Sequence, residues 1–96
     1  MRRDEALALL GNHREELRRL GVQSLAVFGS VARDEAGPES DVDILVELGR
    51  PMGYFGFFDI QEYLQGILER PVDLVTREAL KRQLKDRIVK EAIPAA

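Results

Sequence analysis

Residues 41–48, Asp-Val-Asp-Ile-Leu-Val-Glu-Leu, constrain the fold more than any other stretch. The run Ile44-Leu45-Val46 leaves no wet side, so it predicts a strand covered on both faces. Side chains alternate along a strand, which puts Asp41 and Asp43 on one face and Val42 on the other. Two carboxylates at that range raise one another's pKa unless they share a cation. Mg²⁺ suits the pair, because it is hard, prefers oxygen and is commonly held by one or two carboxylates together with substrate phosphates. For an isolated Asp-x-Asp the plainer alternative is two solvated acids at a strand end, or Asp41 as a turn residue after Ser40.

The upstream residues weigh against that alternative. Ser24–Phe28 reads as a short strand, and Gly29-Ser30 follows it at the start of a short helix over residues 30–36. Glycine lets a phosphate approach the backbone closely, helix N-terminal amides favour anions, and Ser30 adds a hydroxyl donor. A third acid, Asp73, interrupts the apolar run of Pro71–Val75, a strand in which a lone aspartate is unusual. If that strand lies beside the one carrying Asp43, the three carboxylates and the glycine–serine turn form the equipment for in-line displacement at phosphorus.

The remaining elements follow from periodicity. Asp4 to Leu20 predicts one helix with Leu7, Leu10, Leu17 and Leu20 at helical spacing and Asp4 as its cap, weakened by Gly11 and stopped by Gly21. Phe57, Ile60, Leu64, Ile67 and Leu68 mark a second helix over residues 57–69. Thr76 is placed to cap a last helix from Arg77 to about Ala92 with a Leu80, Leu84, Ile88 stripe. The order is α-β-α-β-α-β-α, and the pattern alone allows an α/β or an α+β sandwich. Ninety-six residues suffice for a single domain, 1–96. The chain has no cysteine, which excludes thiolate metal sites, and no apolar run of membrane-spanning length or signal-peptide pattern. A cytoplasmic protein is the expectation.

The net charge of −3 conceals an asymmetry. Only Arg33, Arg50 and Arg70 are basic between residues 21 and 75, whereas the last helix is basic. An acidic middle argues against duplex DNA binding there, and nucleic acid is the weakest of the partners considered. The basic helix is a solvated face or the contact for an acidic partner.

Gly29-Ser30-Val31-Ala32-Arg33 followed by Ser40-Asp41-Val42-Asp43-Ile44-Leu45-Val46 resembles the signature GSxAR…SDxDhhV, with h apolar, of minimal nucleotidyltransferases in the DNA polymerase β superfamily. The Val-Asp-Leu-Val strand around Asp73 is similar too, and the likeness spans nearly the whole chain. The resemblance implies an α+β nucleotidyltransferase core, a small mixed sheet packed by helices. It implies two Mg²⁺ ions held by Asp41 and Asp43, with Asp73 completing the site and able to act as base. Gly29 and Ser30 would grip the β- and γ-phosphates of ATP, the substrate. Arg33 and Ser40 also match; Arg33 could neutralise a phosphate or fix an aspartate, and Ser40 reads as a local turn former. The family likeness further implies a HEPN-domain protein as partner, in a toxin–antitoxin pair whose antitoxin is the nucleotidyltransferase; some members transfer AMP to a tyrosine of that partner. An antitoxin that neutralises by binding alone is the competing expectation.

Five of the six aromatic side chains, Tyr54, Phe55, Phe57, Phe58 and Tyr63, fall within ten residues. Phe57 belongs to the core stripe. The others predict core packing, a homo- or hetero-oligomer interface through 54–63, or a base-stacking surface. His13, the only histidine, is expected to be a solvated surface residue.

Overall fold

The computed structural model describes residues 1–80 and 82–95, with the backbone alone over residues 82–85. Helix α1 (Arg3–Asn12) follows Arg2 in an extended conformation and has no side-chain cap. Asp4 lies inside the first turn instead, where its charge meets the positive end of the helix dipole. The single helix expected over residues 4–20 is broken at His13, which sits at φ −110°, ψ 18°; α2 (Arg14–Arg19) restarts after it. Gly11 and Asn12 before the break are poor helix formers. His13 ties the break down, its Nδ1 donating to the Leu9 carbonyl at 2.8 Å. The ring meets Tyr63 edge-on with centroids 5.9 Å apart. His13 is thus a half-buried joint, and the solvated role expected for it is corrected.

Strands β1 (Val22–Phe28), β2 (Val42–Leu48), β3 (Val72–Thr76) and β4 (Ile93–Pro94) form one sheet in the order β3-β2-β1-β4. β1 runs antiparallel to β2 and to β4, while β2 and β3 are parallel. The result is the mixed α+β fold, a four-stranded sheet packed by helices. β4 has two residues, too few for a period-2 pattern, and the sequence reading omits it. The parallel pair needs a crossover, supplied by α4 (Tyr54–Leu68).

One sheet face, bearing Val27, Ile44, Val46, Val72 and Leu74, is buried with Ala6, Leu10, Leu17, Ile60, Leu64 and Leu68 of the helices. Leu45 points to the other face and is also buried, so β2 is covered on both sides as its apolar run predicts. Near that second face, Ala26 and Leu45 share the lining of a cavity of about 240 Å³ with Val89 of α5 (Arg82–Glu91). α5 begins later than expected. Thr76 does cap, its hydroxyl accepting from the Ala79 amide at 3.2 Å, but it caps a 3₁₀ turn over Arg77–Ala79 that Leu80 ends in an extended conformation. Leu84, expected on the apolar stripe of this helix, has a side chain outside the described residues. Among the described residues no helix is long and apolar enough to cross a membrane.

Candidate active site

The register of the sheet assembles the site. Phe28 at the end of β1 pairs with Asp43, and Asp43 pairs in parallel with Asp73. Val42 and Ile44 on one strand, and Val72 and Leu74 on the other, all enter the core. Alternation therefore sends Asp43 and Asp73 together to the opposite face, on strands about 4.8 Å apart. Asp41 precedes β2 and is exposed.

Gly29 turns the chain immediately after β1. Its φ is +73°, in the left-handed region, and a Cβ there would lie 2.0 Å from Asp43 Oδ2. Only glycine lets the backbone and the carboxylate come this close. Helix α3 (Gly29–Ala32) is a single turn carrying Ser30. It ends short of the expected Ala36 because Asp34 takes φ +60°, a conformation that a short polar side chain tolerates.

Asp43 is partly withdrawn from water. Burial first, then the neighbouring carboxylates Asp73 and Asp41, push its carboxyl above the ordinary aspartate value, with Arg33 acting in the opposite sense. The site thus carries an excess of negative charge that a cation would relieve. The donors of the set are all carboxylate oxygens, the chemistry that Mg²⁺ accepts. Among the described residues no group of three acids or histidines stands ready-made around a metal position. The residues fit a metal whose shell is completed by substrate phosphates, as Mg²⁺ sites commonly are.

The other two sequence candidates are placed differently. The Ser40 hydroxyl accepts from the Gly37 amide at 2.9 Å, closing the turn before Asp41. Arg33 ends α3, where it pairs with Glu35 at 3.2 Å and with Glu91 of α5. Glu91 also accepts from the Gly29 amide at 3.3 Å. Hydrogen bonding from Arg33, then from Gly29, outweighs desolvation and lowers the Glu91 carboxyl below the ordinary value. Sequence reasoning missed Glu91; the signal was an acid closing an otherwise basic helix.

Residues 10–96 match the family model of the nucleotidyltransferase domain, and the chain belongs to that family. It is an enzyme of the minimal nucleotidyltransferase class. Protein adenylyltransferase MntA of Thermococcus cleftensis is 38% identical over 91 residues, covering 94% of this chain and 92% of the relative. A solved structure described as a minimal nucleotidyltransferase matches with a TM-score of 0.85 at 32% identity, over 98% of this chain and 96% of that one. An AMPylated HEPN toxin of Shewanella oneidensis in complex with an MNT antitoxin gives a TM-score of 0.66 at 22% identity, over 94% of this chain and 71% of that one; this likeness is one of fold.

Proposed function

We propose that the chain, acting as one domain, transfers AMP from ATP to a hydroxyl of a partner protein, and that the partner is a HEPN-domain toxin for which it serves as cytoplasmic antitoxin. The observation that carries this reading is the pairing of Asp43 with Asp73 across β2 and β3, with Gly29 turning the chain directly after Phe28, the β1 partner of Asp43. The name of the Thermococcus relative and the toxin–antitoxin complex support the acceptor class.

Each residue has a role in the proposed reaction. The Gly29 amide and the Ser30 hydroxyl bind the β- and γ-phosphates, and Arg33 offsets their charge. Asp41, Asp43 and Asp73 hold the Mg²⁺ ions, two in number. When bound, Mg²⁺ neutralises the phosphate oxygens and favours the in-line geometry. Asp73 receives the proton of the acceptor hydroxyl as its oxygen forms a bond to the α-phosphorus. The bond between the α-phosphorus and the bridging oxygen breaks, and pyrophosphate leaves with that electron pair. Ser40 keeps its place in the turn that delivers Asp41. Positioning and charge compensation supply most of the acceleration.

A second reading, neutralisation by binding alone, has its own support. Tyr54, Phe55 and Phe58 are 75%, 81% and 42% exposed. They form a surface suited to a hetero-oligomer or a homo-oligomer. Incubating the chain with ATP, Mg²⁺ and a HEPN-domain protein from the same organism separates the two. Intact-mass analysis should show AMP added to the partner by the wild type and none by Asp43→Asn. Neutralisation without any adduct would sink the catalytic reading and leave the binding one.

A further inference from the structure

β3 is an edge strand, yet the outer backbone groups of Val72, its first residue, are not left open. Gln61 Nε2 donates to the Val72 carbonyl at 2.9 Å, and the Val72 amide donates to Gln65 Oε1 at 3.1 Å. The two glutamines are one helical turn apart on α4, so their side chains rise from the same face. On the inner side of the strand, the Val42 amide donates to the Pro71 carbonyl at 2.9 Å. Successive residues of a strand direct their N–H and C=O groups to alternate sides. Val72 therefore faces the helix, while its neighbours Pro71 and Asp73 face β2.

Such a clamp blunts an edge strand against unwanted pairing. Its location says more. The clamped residue immediately precedes Asp73, in a five-residue strand held on one side only by β2. A slip or outward swing at Val72 would carry the Asp73 carboxylate away from Asp43. We propose that Gln61 and Gln65 are positioning residues that lock β3 so that Asp73 stays opposite Asp43 and able to serve the metal–nucleotide complex. The proposal rests on the reading of Asp73 as part of the site.

The partners fix the amide roles: Gln61 must donate and Gln65 must accept. A carboxylate can accept but not donate, so the same substitution has opposite consequences at the two positions. The measurement is Mn²⁺ affinity, followed by electron paramagnetic resonance, on the full chain with a non-hydrolysable ATP analogue. Gln61→Glu should weaken Mn²⁺ binding roughly tenfold, since displacement of a site group by on the order of 1 Å can cost up to about 100-fold in function. Gln65→Glu should keep most of the affinity, and Gln65→Leu should lose it as Gln61→Glu does. Asp73→Asn should weaken binding by itself, and adding Gln61→Glu to it should cause little further loss. Ile67→Ala, on the same helix and packed against the core, supplies a destabilised control that should bind Mn²⁺ normally while folded. Normal binding by folded Gln61→Glu and Gln65→Leu, with Asp73→Asn impaired, overturns the clamp. A silent Asp73→Asn overturns the reading of Asp73, and the clamp's service to the site falls with it.

Discussion

The carboxylate of Glu91 lies 3.3 Å from the main-chain nitrogen of Gly29, sixty-two residues earlier in the chain, and also holds Arg33. An anion of the protein itself thereby occupies the amide and the guanidinium that the proposed function assigns to the incoming phosphates. On that proposal, nucleotide has to displace it. Glu91→Gln removes the competing charge, so ATP affinity measured by calorimetry should rise by roughly three- to tenfold, the net worth of about one ordinary hydrogen bond. The same substitution should change acid stability. A carboxyl whose folded pKa is depressed stabilises the fold above its unfolded value of about 4.5, and that contribution disappears as pH falls through the lower folded value. Melting curves of the variant and the wild type should therefore converge in acid. Unchanged affinity in Glu91→Gln would show that α5 does not guard the phosphate end.

Gly29 carries two demands at once, its positive φ and its contact with Asp43. Gly29→Ala should lose about 1–2 kcal/mol from the left-handed backbone alone, read as a shift in the urea midpoint. The added methyl must also push the Asp43 carboxylate aside, so nucleotide binding in the presence of Mg²⁺ should be lost even where the variant is folded. An alanine variant that binds normally would mean that the close approach has no part in the site.

The strands around the aspartates were legible because their information is local. Ile44-Leu45-Val46 announces an interior strand, and its alternation sends Asp43 to the face away from Val42 and Ile44. Periodicity also marked the core of α4, though not its start at Tyr54, because the aromatic residues of its first turn face solvent. What was illegible is long-range. Nothing within residues 88–94 reveals that Glu91 reaches Gly29, or that Ile93 pairs with Val27. The break at His13 was hidden for a related reason: the leucine spacing continues across it, and the backbone departs by one residue only.

Asp43 gives a pH dependence of the opposite sign from Glu91. Its carboxyl is raised, first by burial and then by Asp73 and Asp41, so the folded chain holds this proton more tightly than the unfolded one. The sign follows from linkage: stability is favoured at low pH and lost as pH rises from the unfolded value of about 3.8 through the folded one. At neutral pH the ionised group is a liability of the nucleotide-free protein. Asp43→Asn should consequently raise the thermal midpoint at pH 7 by a few degrees, and the gain should vanish in acid. Saturating Mg²⁺ and nucleotide should stabilise the wild type and leave the variant unmoved. A variant less stable than the wild type at pH 7 would mean that the carboxylate is already compensated within the protein.

The aromatic surface at the start of α4 separates docking from chemistry. Tyr54 stacks on Phe58 at 6.3 Å between centroids and meets Phe55 edge-on at 6.0 Å, so the three rings form one patch. None of the three belongs to the buried core. Phe55, the most exposed of them, can be changed without opening a cavity. Phe55→Asp should alter folding stability by no more than about 0.5 kcal/mol, the usual range for surface positions. It should leave Mg²⁺-dependent ATP binding intact, because Asp43 and Asp73 lie on β2 and β3 and Gly29 directly follows β1, all outside α4. Partner capture should fall by at least about tenfold, since a charge is set at the centre of an apolar contact and aromatic anchors dominate such interfaces. Size-exclusion chromatography with the partner and calorimetry with ATP, run on the same preparation, test both halves. Loss of ATP binding would place the patch within the catalytic machinery. Undiminished capture would move the docking surface away from the start of α4.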